Sequence, residues 1–254
     1  MRRVIAITGA SGRLRKIASY ELAMAGYTVY VGTAVSSSRT QAKAIRTFAE
    51  QNHVDLRQML FDESSEASTV AAIQKIVKDC GRLDVLIHLL DLRALRSPGM
   101  RSAAELTQIY NNHVLKMQHI SQAAMPLFIE QGHGLLMWVA GSQMRKAIPH
   151  DLEPFFASKA VLDALAISYA ITGVGENIET TILLPGLAET TSVIVELVGM
   201  PAGTRPLMVY PDQLYASKEV LADRSEPSLA LAFRGIQSHD LFRHSTPQTI
   251  DVYA

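Results

Sequence analysis

What most limits the folds open to this chain is an alternation of two hydrophobic periods that starts at Val4 and continues past residue 180. Val4–Thr8 is an unbroken apolar run, the pattern of a parallel strand buried on both faces. Leu14, Ile17, Ala18, Leu22 and Ala25 then recur at helical spacing, with Gly26 as a stop. Strand-like "TVYVG", a helix over 39–51 and "LRQMLFD", ending at Asp62, follow. Helical "STVAAIQKIVKDCG" closes on Gly81 before the apolar "LDVLIHLL". The spacing predicts a long helix from Ala103 to Gln131, bent at Pro126. It then predicts a strand at "LLMWVA", a helix over "PFFASKAVLDALAISYA" with Pro154 near its start, a strand at "ETTILLPG" and a seventh at "RPLMVY". Strands alternating with helices imply a three-layer α/β fold. It is a doubly wound parallel sheet of about seven strands, with helices on both faces and right-handed crossovers. No repeat, low-complexity tract or linker interrupts the pattern, so residues 1–254 read as a single domain.

Composition narrows the function. A chain of 254 residues that is 48% hydrophobic can bury a full core. Lys plus Arg equals Asp plus Glu at 24 each, so no global field favours nucleic acid or a membrane surface. The single cysteine, Cys80, excludes an internal disulfide and a cysteine-built metal site, and it fits a reducing compartment. The opening "MRRVIAITGAS" has basic residues before an apolar run, but that run is too short for a signal peptide and leads into a glycine turn. The expectation is a cytoplasmic protein with no metal, no membrane and no nucleic-acid partner.

In open parallel sheets ligands bind beyond the carboxyl ends of the strands. Here those ends are Gly9–Lys16, Asp62, His88–Leu92, Ala140–Gln143 and Pro185–Thr191. The first reads "GASGRLRK", a small turn between strand and helix of the kind whose bare backbone holds a phosphate. Thr8, Gly9 and Gly12 suit that role, whereas Arg13 and Arg15 do not. The arginines read as solvated charges on a surface turn, as side chains filling a vacated pocket, or, with Lys16, as a redesigned anion grip.

Taken together, "TGAS", "FD" at Asp62, "LDVL", "QAAMP", "GHGLLMWV", "FFASKA" and "LLPG" resemble the short-chain dehydrogenase/reductase family over most of the chain. The resemblance implies a Rossmann-like domain. It also implies a hydride exchanged with NAD(P), in which a tyrosine serves as acid/base, a lysine lowers its pKa, a serine polarises the carbonyl and an asparagine supports a water. Carried over position by position, the lysine is Lys159 and the tyrosine position holds Phe155, which has no proton to give. The serine matches Ser142, thirteen positions before Phe155, and the asparagine position falls on His113. In the family's TGxxxGxG turn the second and third glycines are Arg13 and Arg15, while Gly12 lies one place early. The segment that flanks the adenosine half reads His88-Leu89-Leu90-Asp91, and Asp62, which borders the adenine in the family, is kept.

The stretch after Pro185-Gly186 is also too short for the family's usual substrate lid. The resemblance therefore points to a degenerate member, a pseudoenzyme with no intact catalytic set, no cofactor and a binding, regulatory or scaffolding role. Family members commonly pair through the long helix and the helix after Phe155, so a homodimer or homotetramer, or a protein partner, is expected. Two other readings stay open. One is an NAD(P)-dependent oxidoreductase in which water, His113 or Ser142 replaces the tyrosine. The other is a phosphate- or nucleotide-sensing module built on Arg13 and Arg15. Arg13 would suit the 2′-phosphate of NADP, and no acidic residue ends strand two to favour NAD.

Overall fold

The strands pair as the two-residue period requires. In the computed structural model, which describes residues 2–9, 12–34, 38–89, 102–139, 153–183, 190–205 and 207–209, β1 (Val4–Gly9) lies between β2 (Thr28–Thr33) and β4 (Val85–Leu89). With β3 (Leu56–Leu60), β5 (Gly134–Val139), β6 (Ile178–Leu183) and the short β7 (Met208–Val209), they form a seven-stranded sheet. Every pairing is parallel, in the order β3-β2-β1-β4-β5-β6-β7. The order reverses between β1 and β4, which places a crevice at their carboxyl ends.

Alternate residues along β1 to β6 feed opposite cores. Ala6, Leu86, Leu136 and Trp138 pack with α3 (Glu66–Cys80), α5 (Lys116–Gln131) and α6 (Glu153–Thr172) through Ile73, Ile76, Met117, Phe128 and Leu162. Ile5, Ile7, Ile87 and Met137 pack on the other face with α1 (Arg13–Met24), α2 (Ser38–Asn52) and α7 (Thr190–Gly199) through Leu22, Ile45, Val193 and Leu197. Trp138 is fully buried, and its Nε1 donates to Ser121 Oγ at 3.3 Å. Met137 and Trp138 are thus core residues, as their apolar strand implies.

Local chemistry sets the helix ends. Ser65 caps α3 by accepting from the Ser68 N–H at 3.2 Å, and Gly81 ends it in the left-handed region. Ser102 and Glu105 form a reciprocal capping box at the start of α4 (Ala103–Tyr110). The long helix holds one feature that the sequence did not announce. Pro126 lies inside α5, and a π-helical segment over Asn111–Leu115 joins α4 to α5. Such π segments widen one turn and re-aim a side chain, and they recur at functional sites; here the residue inside it is His113. No helix among the described residues is long and apolar enough to cross a membrane.

Candidate functional site

The first strand end is shaped by a glycine that no other residue could replace. Gly9 has φ +89°, and a Cβ built on it would come within 2.0 Å of the Leu89 carbonyl oxygen. Beside it the buried Thr8 hydroxyl lies 2.8 Å from His88 Nδ1 and 3.4 Å from the Ile87 carbonyl oxygen. A His88 tautomer protonated at Nδ1 satisfies both contacts, because it donates to Thr8 while Thr8 donates onward to Ile87. Burial holds the His88 pKa below its ordinary value. Lys116 and His113 push it the same way, and Glu63 partly opposes them. His88 does more than end a strand, since its side chain ties β4 to the last residues of β1.

Both main-chain polar groups of Gly9 are engaged by side chains of this chain. Its N–H donates to the Glu63 carboxylate at 2.7 Å, and its carbonyl accepts from Arg15 Nη1 at 3.2 Å. Arg15 also donates to the Gly32 carbonyl at 2.6 Å and to Gln41 Oε1 at 3.3 Å, and it is only 7% exposed. Of the readings left open for the arginines, the surface-turn one is therefore wrong for Arg15, which fills the space between the ends of β1 and β2. It holds for Arg13, which is exposed, and for Lys16, whose ammonium lies 5.6 Å over the Tyr20 ring. Gly12 N-caps α1 without a side-chain hydrogen bond, and a Cβ there would meet nothing within 4 Å, so no close approach demands a glycine.

Two elements carry the remaining positions. His113 is buried, with Nδ1 3.1 Å from Ser158 Oγ on α6, itself buried. Phe155 and Lys159 fall four positions apart on the same helix, one turn from each other. Ser142, Asp91 and the Pro185–Gly186 segment lie outside the described residues. Asp62 is exposed; its carboxylate accepts from the Ser64 hydroxyl at 2.6 Å and the Ser64 N–H at 2.9 Å. These bonds, with a smaller contribution from Lys116, hold its pKa below the usual carboxylate range. The structure thus gathers Thr8, Gly9 and Arg15 at one end of the sheet, and it pairs His113 with Ser158. Sequence reasoning missed Glu63 and Gln41. A carboxylate directly after Asp62 at a strand end was the available signal for Glu63; nothing in the sequence marked Gln41. No cluster of metal-ligating side chains occurs among the described residues.

A parallel sheet with helices on both faces and its crevice at the β1/β4 switch defines a Rossmann-like α/β domain. The short chain dehydrogenase family model matches residues 3–197, and this chain belongs to that family. It is 25% identical over 138 residues to the ketoacyl reductase HetN of Nostoc, a match that covers 54% of this chain and 47% of that protein. It is 23% identical over 191 residues to the acetoacetyl-CoA reductase of Acinetobacter, covering 75% of this chain and 76% of the relative. Among solved structures, the alcohol dehydrogenase of Thermococcus sibiricus complexed with 5-hydroxy-NADP superposes with a TM-score of 0.70 at 19% identity. That superposition covers 82% of this chain and 95% of that one. The acetoin dehydrogenase of Enterobacter cloacae gives 0.67 at 21% identity, over 78% and 88% of the two chains. These likenesses show the fold. The chain is short-chain-dehydrogenase-like in its architecture.

Proposed function

We propose that this protein is a non-catalytic member of its family that keeps the fold and serves as a binding, regulatory or scaffolding protein. The observation that supports this most is the occupation of Gly9 by Glu63 and Arg15. A dinucleotide turn works by offering bare backbone to an anionic pyrophosphate. Here a carboxylate sits on the Gly9 N–H, where it repels a phosphate, and a guanidinium takes the carbonyl and closes the gap toward Gly32. The residues of this turn do not fit NAD or NADP. Phe155 at the tyrosine position adds an independent reason, since a phenyl ring can neither donate nor accept a proton. A protein interface fits the exposed apolar side chains on the two helices through which the family pairs. Leu115 and Ile129 lie on the long helix, and Val161 and Ile171 on α6. The partner on this reading is a second copy or another protein.

A second reading, an NAD(P)-dependent oxidoreductase with an altered site, draws on the reductase names of the relatives and on the buried His113–Ser158 pair beside the retained Lys159 position. A titration of NAD(H) and NADP(H), followed by thermal shift and by nicotinamide absorbance with carbonyl substrates, separates the two. The first reading expects neither binding nor turnover. The second requires both.

A further inference from the structure

At the edge of the sheet away from Gly9, a cavity of about 260 Å³ opens at the amino ends of β1, β4, β5 and β6. It has a cationic pole on each face of the sheet. On the α7 side, Arg3 donates from Nη1 to the Val198 carbonyl at 2.6 Å. Arg205 donates from Nε to the Leu197 carbonyl at 2.6 Å and pairs with Glu179. Burial holds the Arg205 pKa below its ordinary value; Glu179 opposes the shift and the Arg3 charge adds to it. The donors of Arg205 are spent on these carbonyls and on Glu179, whereas the Arg3 side chain makes no other hydrogen bond or ion pair among the described residues. On the α5 side, Arg82 donates from Nε to both oxygens of the buried Asp84 at 3.0 Å, and His133 lies against the pair. His133 Nδ1 is 3.1 Å from the Gln131 carbonyl, which can only accept, so Nδ1 carries a proton. Nε2 is 2.9 Å from Arg82 Nη2, a donor, and 3.0 Å from Asp84 Oδ1, an acceptor. A neutral ring accepts from Arg82 and turns its lone pair on Asp84. A charged ring donates to Asp84 and faces an N–H of Arg82. One contact is unmet in either state.

We propose that this cavity binds a short dicarboxylate, one carboxylate on Arg3 and the other on Arg82, and that His133 takes a proton from solvent as it binds. Charge balance sets the class of ligand. The guanidiniums of Arg3, Arg82 and Arg205 face the carboxylates of Asp84 and Glu179. The wall therefore carries one excess positive charge with His133 neutral and two with it charged, and a dianion matches the second state. A carboxylate that takes the Arg82 Nη2 hydrogen now aimed at the ring leaves Nε2 to donate to Asp84, so both contacts of the ring are met. Poles on opposite faces of the sheet suit two separated heads, whereas a phosphate concentrates its charge at one. At about 30 Å³ per water the cavity holds roughly nine waters, room for a short dicarboxylate and not for a dinucleotide. The site asks nothing of Gly9 and stands apart from the non-catalytic reading, since ligands of such sheets bind at the opposite, carboxyl edge.

The test is isothermal calorimetry of the full-length protein with succinate, acetate and inorganic phosphate, in two buffers of different ionisation enthalpy. At about pH 7.5 succinate is a dianion, so a proton taken up on binding goes to the protein. Succinate is expected to bind at least about tenfold more tightly than acetate or phosphate. The two buffers are expected to differ in apparent heat by net proton uptake. Arg3→Gln is expected to weaken succinate by about tenfold, and Arg3→Lys, which keeps the charge, to recover part of that loss. His133→Gln is expected to bind succinate without proton uptake, a change that a merely structural role would not produce. No saturable heat with succinate, acetate or phosphate as tight as succinate, or no proton uptake by the parent overturns the proposal whatever the variants do. Uptake that persists in His133→Gln, or unaltered affinity in Arg3→Gln, overturns it as well.

Discussion

Arg15 and Arg13 sit two residues apart in the same turn, and the structure gives them opposite roles. Replacing Arg15 by Ala removes a buried guanidinium that donates to the carbonyls of Gly9 and Gly32 and to Gln41. Charged donors contribute about 1.5–3 kcal/mol per hydrogen bond, and a carbonyl left buried without a partner costs about 1–3 kcal/mol. The space vacated between α1 and α2 admits some water, which recovers part of that cost. A net loss of about 2–4 kcal/mol follows. For a chain of this length, roughly 2–4 °C per kcal/mol gives a melting temperature lower by roughly 5–15 °C. Arg13→Ala, at an exposed position, should stay within about 0.5 kcal/mol of the parent. Differential scanning calorimetry on the two variants side by side reads the contrast. If Arg15→Ala melts with the parent, Arg15 is not a structural filler, and the account of the closed turn loses its main support.

Gly9→Ala should fail to give soluble, cooperatively melting protein, because its Cβ meets the Leu89 carbonyl oxygen at 2.0 Å in a left-handed conformation; a normal melt would contradict the close approach. His88 has its pKa lowered from 6.5 by burial, so below that pH the unfolded chain takes up a proton that the folded one resists. Stability from this group is complete above pH 6.5 and declines as the pH falls toward the folded value. Urea unfolding of His88→Gln should show a flatter pH dependence there, and equal slopes would refute it. Phe155→Tyr alone should give no dehydrogenase turnover, because Glu63 and Arg15 still hold Gly9; measurable turnover would show that the turn is open.

The architecture was legible because it is written in periodicity. Alternating periods gave all seven strands and the helices up to β6, with both cores implied by the continuous apolar runs of β1 and β4. The π segment was not foreseen: a proline marks a missing hydrogen bond, whereas a π segment leaves no residue signature, and His113 had to be found by position. The site was half legible. Motif spacing drew attention to the turn, Phe155 and His113, but it could not separate Arg15 from Arg13, since both are arginines two residues apart and only packing buries one of them. Glu63 stood in view directly after Asp62 at a strand end, but nothing local gave its partner. Its carboxylate reaches Gly9 across 54 residues of sequence, past the end of β2 that separates β3 from β1, a contact set by the sheet order and by no local pattern.

The central claim is that this chain no longer holds a dinucleotide, and direct titration tests it most plainly. Isothermal calorimetry with NADPH and with NADH on the purified full-length protein should show no saturable heat up to millimolar nucleotide. Glu63→Ala combined with Arg15→Gly, which frees both groups of Gly9, should bind more tightly than the parent if the double variant stays folded. Saturable micromolar binding by the parent, together with oxidation of the bound nucleotide by a carbonyl substrate, would contradict the account.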